Sequence, residues 1–200
     1  GDAGADVFLI AAAADHATGE TIVGGADADT IRFTSTTASE TLALLAGVTD
    51  ADNAITVEIS DAAGANTGTT ALNVNADALV DTLVVTLIGN DGDNVLVGNA
   101  TADTINGGAG ADTITGGAGA DVIQADAGDD TINGGAGADK IRFSDTNGTD
   151  AVTFVRNEDS YDFSQVTANG TIAEAAITND AGTALGVTTL GANTTIYVFD

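Results

Sequence analysis

A nine-residue repeat occupies residues 89–142 without insertions and constrains the fold more than any other feature of the chain. The six copies read GNDGDNVLV, GNATADTIN, GGAGADTIT, GGAGADVIQ, ADAGDDTIN and GGAGADKIR. Positions one to six are rich in Gly, Ala, Asn and Asp, which favour turns, whereas position eight is always Leu or Ile between strand-forming neighbours. Each repeat therefore predicts one turn followed by a strand of three residues with one inward side chain.

Position six of the repeat holds an acidic or amide residue in all six copies. Two repeats make one flattened coil, so repeats of the same parity stack at the spacing of neighbouring strands, about 4.8 Å. Stacking divides the position-six residues into two columns. The first column contains Asp103, Asp121 and Asp139, and the second contains Asn94, Asp112 and Asp130.

Such columns are electrostatically unfavourable unless a cation joins them. Carboxylates about 5 Å apart repel by roughly 1 to 4 kcal/mol per pair. The chain has 30 acidic and 4 basic residues, with a net charge of −26, so most carboxylates lack an ion-pair partner within it. One inward aliphatic side chain per repeat buries little apolar surface. We therefore expect the metal-free repeats to be marginally stable or unfolded.

The donor set indicates which cation is expected. Calcium accepts about six to eight oxygen ligands in flexible geometry, and magnesium demands stricter octahedral packing. Zinc prefers Cys and His, of which the chain has none and one respectively. The residues therefore predict Ca²⁺ held by the position-six side chains together with carbonyls of the glycine-rich backbone. The candidate backbone residues are the position-one glycines Gly98, Gly107, Gly116 and Gly134.

The repeats resemble the GGxGxDxUx nonapeptide of the RTX proteins. This resemblance implies an all-β fold built around a calcium-binding parallel β-roll. It also implies export of an unfolded chain by a type I secretion system that reads an uncleaved C-terminal signal. Weak calcium sites would stay empty in the cytosol and fill outside the cell, so folding would accompany export. The chain departs from the motif at Asn94 and at the pair Ala125 and Asp126.

Two further segments near the N-terminus match the nonapeptide, GDAGADVFL at 1–9 and GGADADTIR at 24–32. They predict a small first roll with Asp6 and Asp29 as metal candidates. Between the two sets of repeats, ITVEI, TALNVN and TLVVTLI alternate as strands of a metal-free solenoid or sandwich. ASETLALLAGV, from residue 38, predicts one short helix with Ser39 near its N-cap.

These patterns divide the chain into four predicted regions. Residues 1–33 form a short N-terminal roll, 34–88 a metal-free β-strand segment and 89–143 the calcium β-roll. Residues 144–200 form a C-terminal β-structure that includes NTTIYVFD and resembles the terminal region of type I secreted proteins. The chain begins inside a repeat-like phrase, so we expect it to be part of a longer protein.

The sequence favours a binding or structural role over catalysis. It contains no Gly-x-Ser-x-Gly or His-Glu-x-x-His motif and no Cys, and its single histidine, His16, is expected in a loop. No run approaches the about 20 apolar residues of a membrane span, and the acidic charge disfavours nucleic acid as a partner. We therefore predict that these residues have no enzymatic activity.

Two functions remain open. The first is an extracellular structural protein of a Gram-negative bacterium, namely the C-terminal region of a surface-layer or adhesin-like RTX protein that self-associates in calcium. The alternative is the secretion and calcium-folding domain of a type I secreted enzyme, such as a metalloprotease or lipase. The fold alone does not distinguish them.

Overall fold

The computed structural model describes residues 3–17, 19–79, 82–144, 148, 150–153, 158–165, 176–178 and 184–185. Its strands form two eight-stranded sheets and one two-stranded sheet. The first sheet contains, in spatial order, β1 (Val7–Ile10), β3 (Asp29–Phe33), β6 (Ala54–Ile59), β8 (Val84–Ile88), β10 (Thr104–Ala109), β12 (Val122–Ala127), β14 (Lys140–Ser144) and β16 (Ser160–Gln165).

The second sheet has a matching order along the stack. It contains β4 (Thr41–Ala43), β7 (Asn73–Asn75), β9 (Val95–Val97), β11 (Thr113–Ala118), β13 (Thr131–Ala136), β15 (Ala151–Thr153), β17 (Ala176–Thr178) and β18 (Ala184–Leu185). The small sheet pairs β2 (Ile22–Val23) with β5 (Val48–Thr49), and a 3-10 helix spans Ala13–Asp15. From residue 84 to 165 the described strands alternate between the two large sheets, which is the course of a parallel β-roll.

The register of the strands confirms the predicted coil. Ile105 pairs with Ile123, and Ile123 pairs with Ile141, so each step covers two nonapeptides. Ile114 and Ile132 pair in the same way in the second sheet. All pairings among the described strands are parallel except that of β17 with β18. The predicted all-β, parallel-roll fold is therefore correct.

A thin, mainly aliphatic core lies along the described coils. Inward side chains from both sheets belong to one buried cluster, and each stacks on its counterpart one coil away. In the first sheet the stack runs through Phe8, Ile31, Val57, Leu87, Ile105, Ile123, Ile141 and Tyr161. In the second it runs through Leu42, Val74, Leu96, Ile114, Ile132 and Val152.

Except for β9, the strands within the repeats are longer than the three residues predicted. β11 and β13 are each six residues long because they continue through the glycine pair of the following repeat, where Gly117 pairs with Gly135. Gly117 has φ +121°, and a β-carbon there would overlap the Asn99 carbonyl oxygen of the preceding coil. The glycines therefore extend the ladder, because they allow closer backbone contact than other residues do.

Residues 34–88 continue the solenoid instead of forming a sandwich. β6 pairs with β3 on one side and with β8 on the other, and β8 pairs with β10 of the repeats. The predicted helix from residue 38 is wrong, because Thr41–Ala43 forms β4. Leu42 and Leu44 are both buried, and Leu42 pairs with Val74. Two inward leucines two residues apart have the period of a strand.

Strand pairing continues past the predicted boundaries at 33–34 and 88–89, because β3 pairs with β6 and β8 pairs with β10. The described strands of the four predicted regions therefore belong to the same sheets, although the regions differ in sequence character. Beyond residue 144, the described strands are β15 to β18. NTTIYVFD and the predicted secretion signal at the end of the chain lie outside the described residues. None of the helices among the described residues has the length and hydrophobicity needed to cross a membrane.

Candidate metal centre

The position-six residues form the two predicted columns, and hydrogen bonds link each column from coil to coil. In the first column, the Asp103 N–H donates to Oδ1 of Asp121 over 2.8 Å, and the Asp121 N–H donates to Oδ1 of Asp139 over 3.0 Å. In the second, the Asn94 N–H donates to Oδ1 of Asp112, and the Asp112 N–H donates to Oδ1 of Asp130, both over 2.8 Å. Each carboxylate thereby holds the backbone of the coil before it.

Both columns extend one residue further than the sequence predicted. The Asp130 N–H donates to Oδ1 of Asp150 over 3.2 Å, and the Asp139 N–H donates to Oδ1 of Asp159 over 3.1 Å. The step here is 20 residues instead of 18, so a strict nine-residue frame misses both aspartates. A signal was present, since each still lies two residues before an inward side chain, as in Asp150 before Val152.

In four aspartates of the repeats, the second carboxylate oxygen is buried without a hydrogen-bond donor. This holds for Oδ2 of Asp112, Asp121, Asp130 and Asp139, whose residues are at most 1% exposed. A buried charged oxygen without a partner is costly. Burial accordingly raises the pKa of Asp112, Asp121 and Asp130 to about 7, although a backbone hydrogen bond lowers it in each case. Burial also raises the pKa of Asp103 and Asp139.

These oxygens meet main-chain carbonyls at the position-one glycines. Asp112 Oδ2 and the Ala125 carbonyl oxygen both lie too close to the point where a β-carbon on Gly107 would stand for that atom to fit. The carbonyl oxygen is 2.8 Å from that point. At Gly116 the same place is taken by Asp121 Oδ2 and the Gly134 carbonyl oxygen. Two acceptor oxygens therefore lie close together with no hydrogen-bond donor between them, which is an arrangement that a hard cation stabilises.

The candidate glycines differ in what they contribute to these contacts. The carbonyls of Gly107, Gly116 and Gly134 lie beside the position-one glycine of the preceding coil, and Gly98 is the glycine that the Gly116 carbonyl approaches. Ala125 was missed, because its side chain departs from the motif. Its position-one place in the repeat was the signal that its carbonyl belongs to the same set.

Asn94 and Asp103, the first position-six residues of the uninterrupted repeats, have protein partners instead. Asn94 Nδ2 donates to the Leu72 carbonyl over 2.7 Å, and its Oδ1 accepts the Asn90 N–H over 2.9 Å. Asp103 Oδ2 accepts the Asn99 N–H over 2.7 Å, and its Oδ1 accepts an N–H over 3.0 Å from Val85 of the preceding coil. These two residues thus have hydrogen-bond donors that the four buried Oδ2 atoms lack.

The N-terminal candidates repeat the backbone contact of the columns. The Asp6 N–H donates to Oδ1 of Asp29 over 2.7 Å. Asp29 is 1% exposed and its Oδ2 is among the buried oxygens without a hydrogen-bond partner, whereas Asp6 is half-buried. Only Asp29 of this pair thus shares the burial found in residues 89–142.

The donor set is poor in side chains. Within the described ranges, no group of three or more His, Cys, Asp or Glu residues is placed to hold a metal ion. An ion in the columns would therefore take most of its ligands from backbone carbonyls, which suits calcium and does not suit zinc. His16 is 5% exposed, and its Nε2 accepts the Leu45 N–H over 3.4 Å, so it has a structural contact.

A parallel β-roll whose buried aspartates face main-chain carbonyls belongs to the class of calcium-binding roll structures. The model of the RTX calcium-binding nonapeptide repeat matches four segments of the chain, residues 17–32, 88–123, 107–141 and 115–149. The chain therefore carries RTX repeats, which bind Ca²⁺. Comparisons with curated proteins and with solved structures found no match.

Proposed function

We propose that this chain is an extracellular structural segment whose repeats fold when they bind calcium after secretion. The observation that carries the proposal is the set of four buried Oδ2 atoms without donors, two of them shown facing a main-chain carbonyl. The ligands we assign are Asp112, Asp121, Asp130 and Asp139, with the carbonyls of the position-one residues. Type I secretion of RTX proteins supports the same order of events.

The coupling of folding to calcium follows from the position of the sites between coils. The ligands of one ion come from different coils, so the site exists only when the coils are stacked. An ion at ten times its dissociation constant then stabilises the folded state by about 1.4 kcal/mol per site. Several sites in one stack add their contributions, so a modest rise in calcium can shift the repeats from unfolded to folded.

The more specific form of the proposal is a surface-layer or adhesin-like protein of a Gram-negative bacterium, of which this is the C-terminal region. Support comes from the outward face of β1, where the apolar side chains Val7 and Leu9 are 47% and 55% exposed. Exposed apolar side chains on one face favour contact with another chain. We infer that copies of the protein associate at the cell surface through this face.

We further propose that the chain has no catalytic activity. Its single histidine is buried and bonded to the backbone, and the sequence has no cysteine nucleophile. A calcium-folding domain of a secreted protease or lipase would share this property, since its active site would lie elsewhere. Self-association separates the two functions, because an appendage of an enzyme has no need of it.

Calcium-coupled folding is tested by Asp121→Asn in the full chain. The asparagine keeps an oxygen for the Asp103 N–H but replaces the Oδ2 acceptor with a donor. Circular dichroism during a calcium titration should show a midpoint at least about tenfold higher than in the wild-type protein. The exposed Asp77 offers the matched control Asp77→Asn, which should leave the midpoint unchanged. An equal β-sheet signal in calcium and in chelator would refute the proposal.

Assembly is tested separately by light scattering of the wild-type chain in millimolar calcium. The structural function predicts particles that grow with protein concentration and dissolve in chelator. A chain that folds in calcium but stays monomeric would refute self-association and favour the appendage of a secreted enzyme.

A further inference from the structure

A pair of buried carboxylates lies outside the uninterrupted repeats, where the N-terminal coil meets the next one. Oδ2 of Asp29 and Oδ2 of Asp50 are both buried without a hydrogen-bond partner. The two residues are 1% and 8% exposed. Both oxygens lie within 2.6 Å of the point where a β-carbon on Gly24 would stand. Two buried oxygens without hydrogen-bond partners thus lie close to one point.

Hydrogen bonds fix each partner of this pair. Asp29 Oδ1 accepts the Asp6 N–H over 2.7 Å, and Asp50 Oδ1 accepts the Asp52 N–H over 3.4 Å. The backbone beneath is held as well, since the Gly24 N–H donates to the Thr49 carbonyl over 2.9 Å. The remaining oxygen of each carboxylate is therefore positioned by contacts that do not neutralise its charge.

The arrangement is a variant of the site found in the repeats. Gly24 is position one and Asp29 is position six of the segment GGADADTIR. In residues 89–142, the oxygen that faces the position-one glycine beside the aspartate is a main-chain carbonyl of the next coil. β2 pairs Val23 with Thr49, so the residue that follows in register opposite Gly24 is Asp50. Here the next coil supplies a carboxylate where the repeats supply a carbonyl.

The separation of the two oxygens suits one calcium ion. Because both lie within 2.6 Å of one point, they are about 5 Å apart at most, which is about the widest spacing of two oxygens bound to the same Ca²⁺. Two carboxylates also balance the charge of a divalent ion, whereas without it they repel each other in a site shielded from water.

We propose that Asp29 and Asp50 together bind one Ca²⁺ ion and so fasten the N-terminal coil to the coils of residues 34–88. Asp50 belongs to no nonapeptide, so repeat counting does not reveal this site. The proposal deepens the calcium-dependent function proposed above and rests on it only for the choice of ion. Its ligands and its structural effect are separate from those of residues 89–142.

The test is calorimetric titration of the full chain with CaCl₂, using Asp50→Asn. This variant keeps an oxygen for the Asp52 N–H and removes one charge. The expected result is one fewer ion bound per chain than in the wild type and in the control Asp77→Asn. An unchanged number of ions would overturn the proposal. Asp121→Asn distinguishes the two hypotheses, because it removes ions from the repeats and leaves this site intact.

Hydrogen exchange of the wild-type protein provides a second measurement, with Asp50→Asn for comparison. Calcium should slow exchange at least about tenfold in peptides that cover residues 22–29 and 48–52, and Asp50→Asn should abolish the effect there but not in residues 107–139. Equal exchange of 48–52 in calcium and in chelator would overturn the inference even if the repeats respond. Failure of the repeats to respond while 48–52 does would instead refute the function proposed above.

Discussion

We call the coils of residues 34–88 the middle coils and those of residues 89–142 the roll. The two regions share one strand register but differ in the residue at position six. The register leads from Asp29 through Ile55 and Val85 of the middle coils. Val85 then donates its N–H to Asp103 of the roll. Ile55 and Val85 are 2% and 0% exposed, so the place that an aspartate takes in the roll is filled by an aliphatic side chain here.

The difference shows that the same backbone position can hold either a buried aliphatic side chain or a buried carboxylate. A buried valine or isoleucine contributes about 1.5 to 3 kcal/mol without any partner. A buried aspartate costs free energy unless a cation or a proton neutralises it. The middle coils also bury Ile59, Leu79 and Leu83, in addition to their stacked residues. We therefore expect the middle coils to fold without calcium and to offer the roll a preformed edge.

Removal of calcium should show the difference between the roll and the middle coils most strongly. In chelator we expect residues 107–142 to lose hydrogen-exchange protection by about two or more orders of magnitude, while residues 54–59 and 84–88 keep theirs. The reason is that the roll then contains four buried carboxylate oxygens without partners, whereas the middle coils contain one, Oδ2 of Asp50, which lies outside the strands at 54–59 and 84–88. Mass spectrometry of exchanged peptides measures both regions in one sample.

A concerted loss of protection in both regions would contradict the comparison. It would mean that the middle coils depend on the stacked roll and not the reverse. Magnesium at the same concentration is the appropriate control, and it should not restore the protection that calcium restores.

Val85→Asp should place an aspartate at position six of a middle coil, where the other calcium ligands of the roll are missing. Val85 is fully buried, so we expect a loss of about 3 to 5 kcal/mol in the stability of the middle coils. Calcium should not recover it. Val84→Asp is the matched control, because Val84 is 39% exposed and should cost less than about 1 kcal/mol. Urea unfolding in chelator measures both variants, and equal losses would show that charge and not burial matters.

The pH should act on the roll in opposite directions with and without calcium. Burial raises the pKa of Asp112, Asp121 and Asp130 to about 7 from a usual value of 3.8. Protonation therefore favours the folded metal-free roll, and this stabilisation is complete below about pH 4 and disappears as the pH rises through 7. Calcium needs the carboxylates, so its affinity should fall about tenfold between pH 7.5 and pH 6.

Melting curves followed by circular dichroism check this crossover. In chelator the roll should melt at a higher temperature at pH 4.5 than at pH 7.5, and in calcium the order should reverse. Calorimetry in two buffers at pH 6.5 should show protons released as calcium binds. A roll that is less stable at pH 4.5 than at pH 7.5 in chelator would show that its aspartates are not desolvated as the structure indicates.

Much of the roll could be predicted from its sequence, because position six and position eight repeat without insertions. The two columns and the stacked isoleucines follow from a period of nine and the alternation between sheets. The middle coils could not be predicted in the same way. Their register steps vary, with 26 residues from Ile31 to Val57 and 30 from Val57 to Leu87, so periodicity gives no frame.

The candidate site was predictable in its carboxylates and less so in its carbonyls. A motif names side chains, but the Ala125 carbonyl meets Asp112 through the backbone, where the side chain is irrelevant. Asp50 was not predictable, because its role depends on the pairing of two short strands that carry no pattern. The contact by which Asn94 caps the roll was not predictable either, because its partner is the carbonyl of Leu72, 22 residues away.

Asn94→Asp tests the junction between the middle coils and the roll, and we expect it to have the smallest effect on stability of the changes considered, apart from the control variants. The wild-type amide donates to the Leu72 carbonyl, and an aspartate would place two acceptors against each other. We expect a loss of about 1 to 3 kcal/mol in chelator, since a buried hydrogen bond is lost and the Leu72 carbonyl is left without its donor. Calcium should recover part of this loss, because the new carboxylate extends the column by one residue. Urea unfolding monitored by hydrogen exchange of residues 72–76 and 95–98 measures it. No loss in chelator would mean that the Asn94 amide does not cap the roll, and full recovery in calcium would mean that the boundary is set by this one side chain.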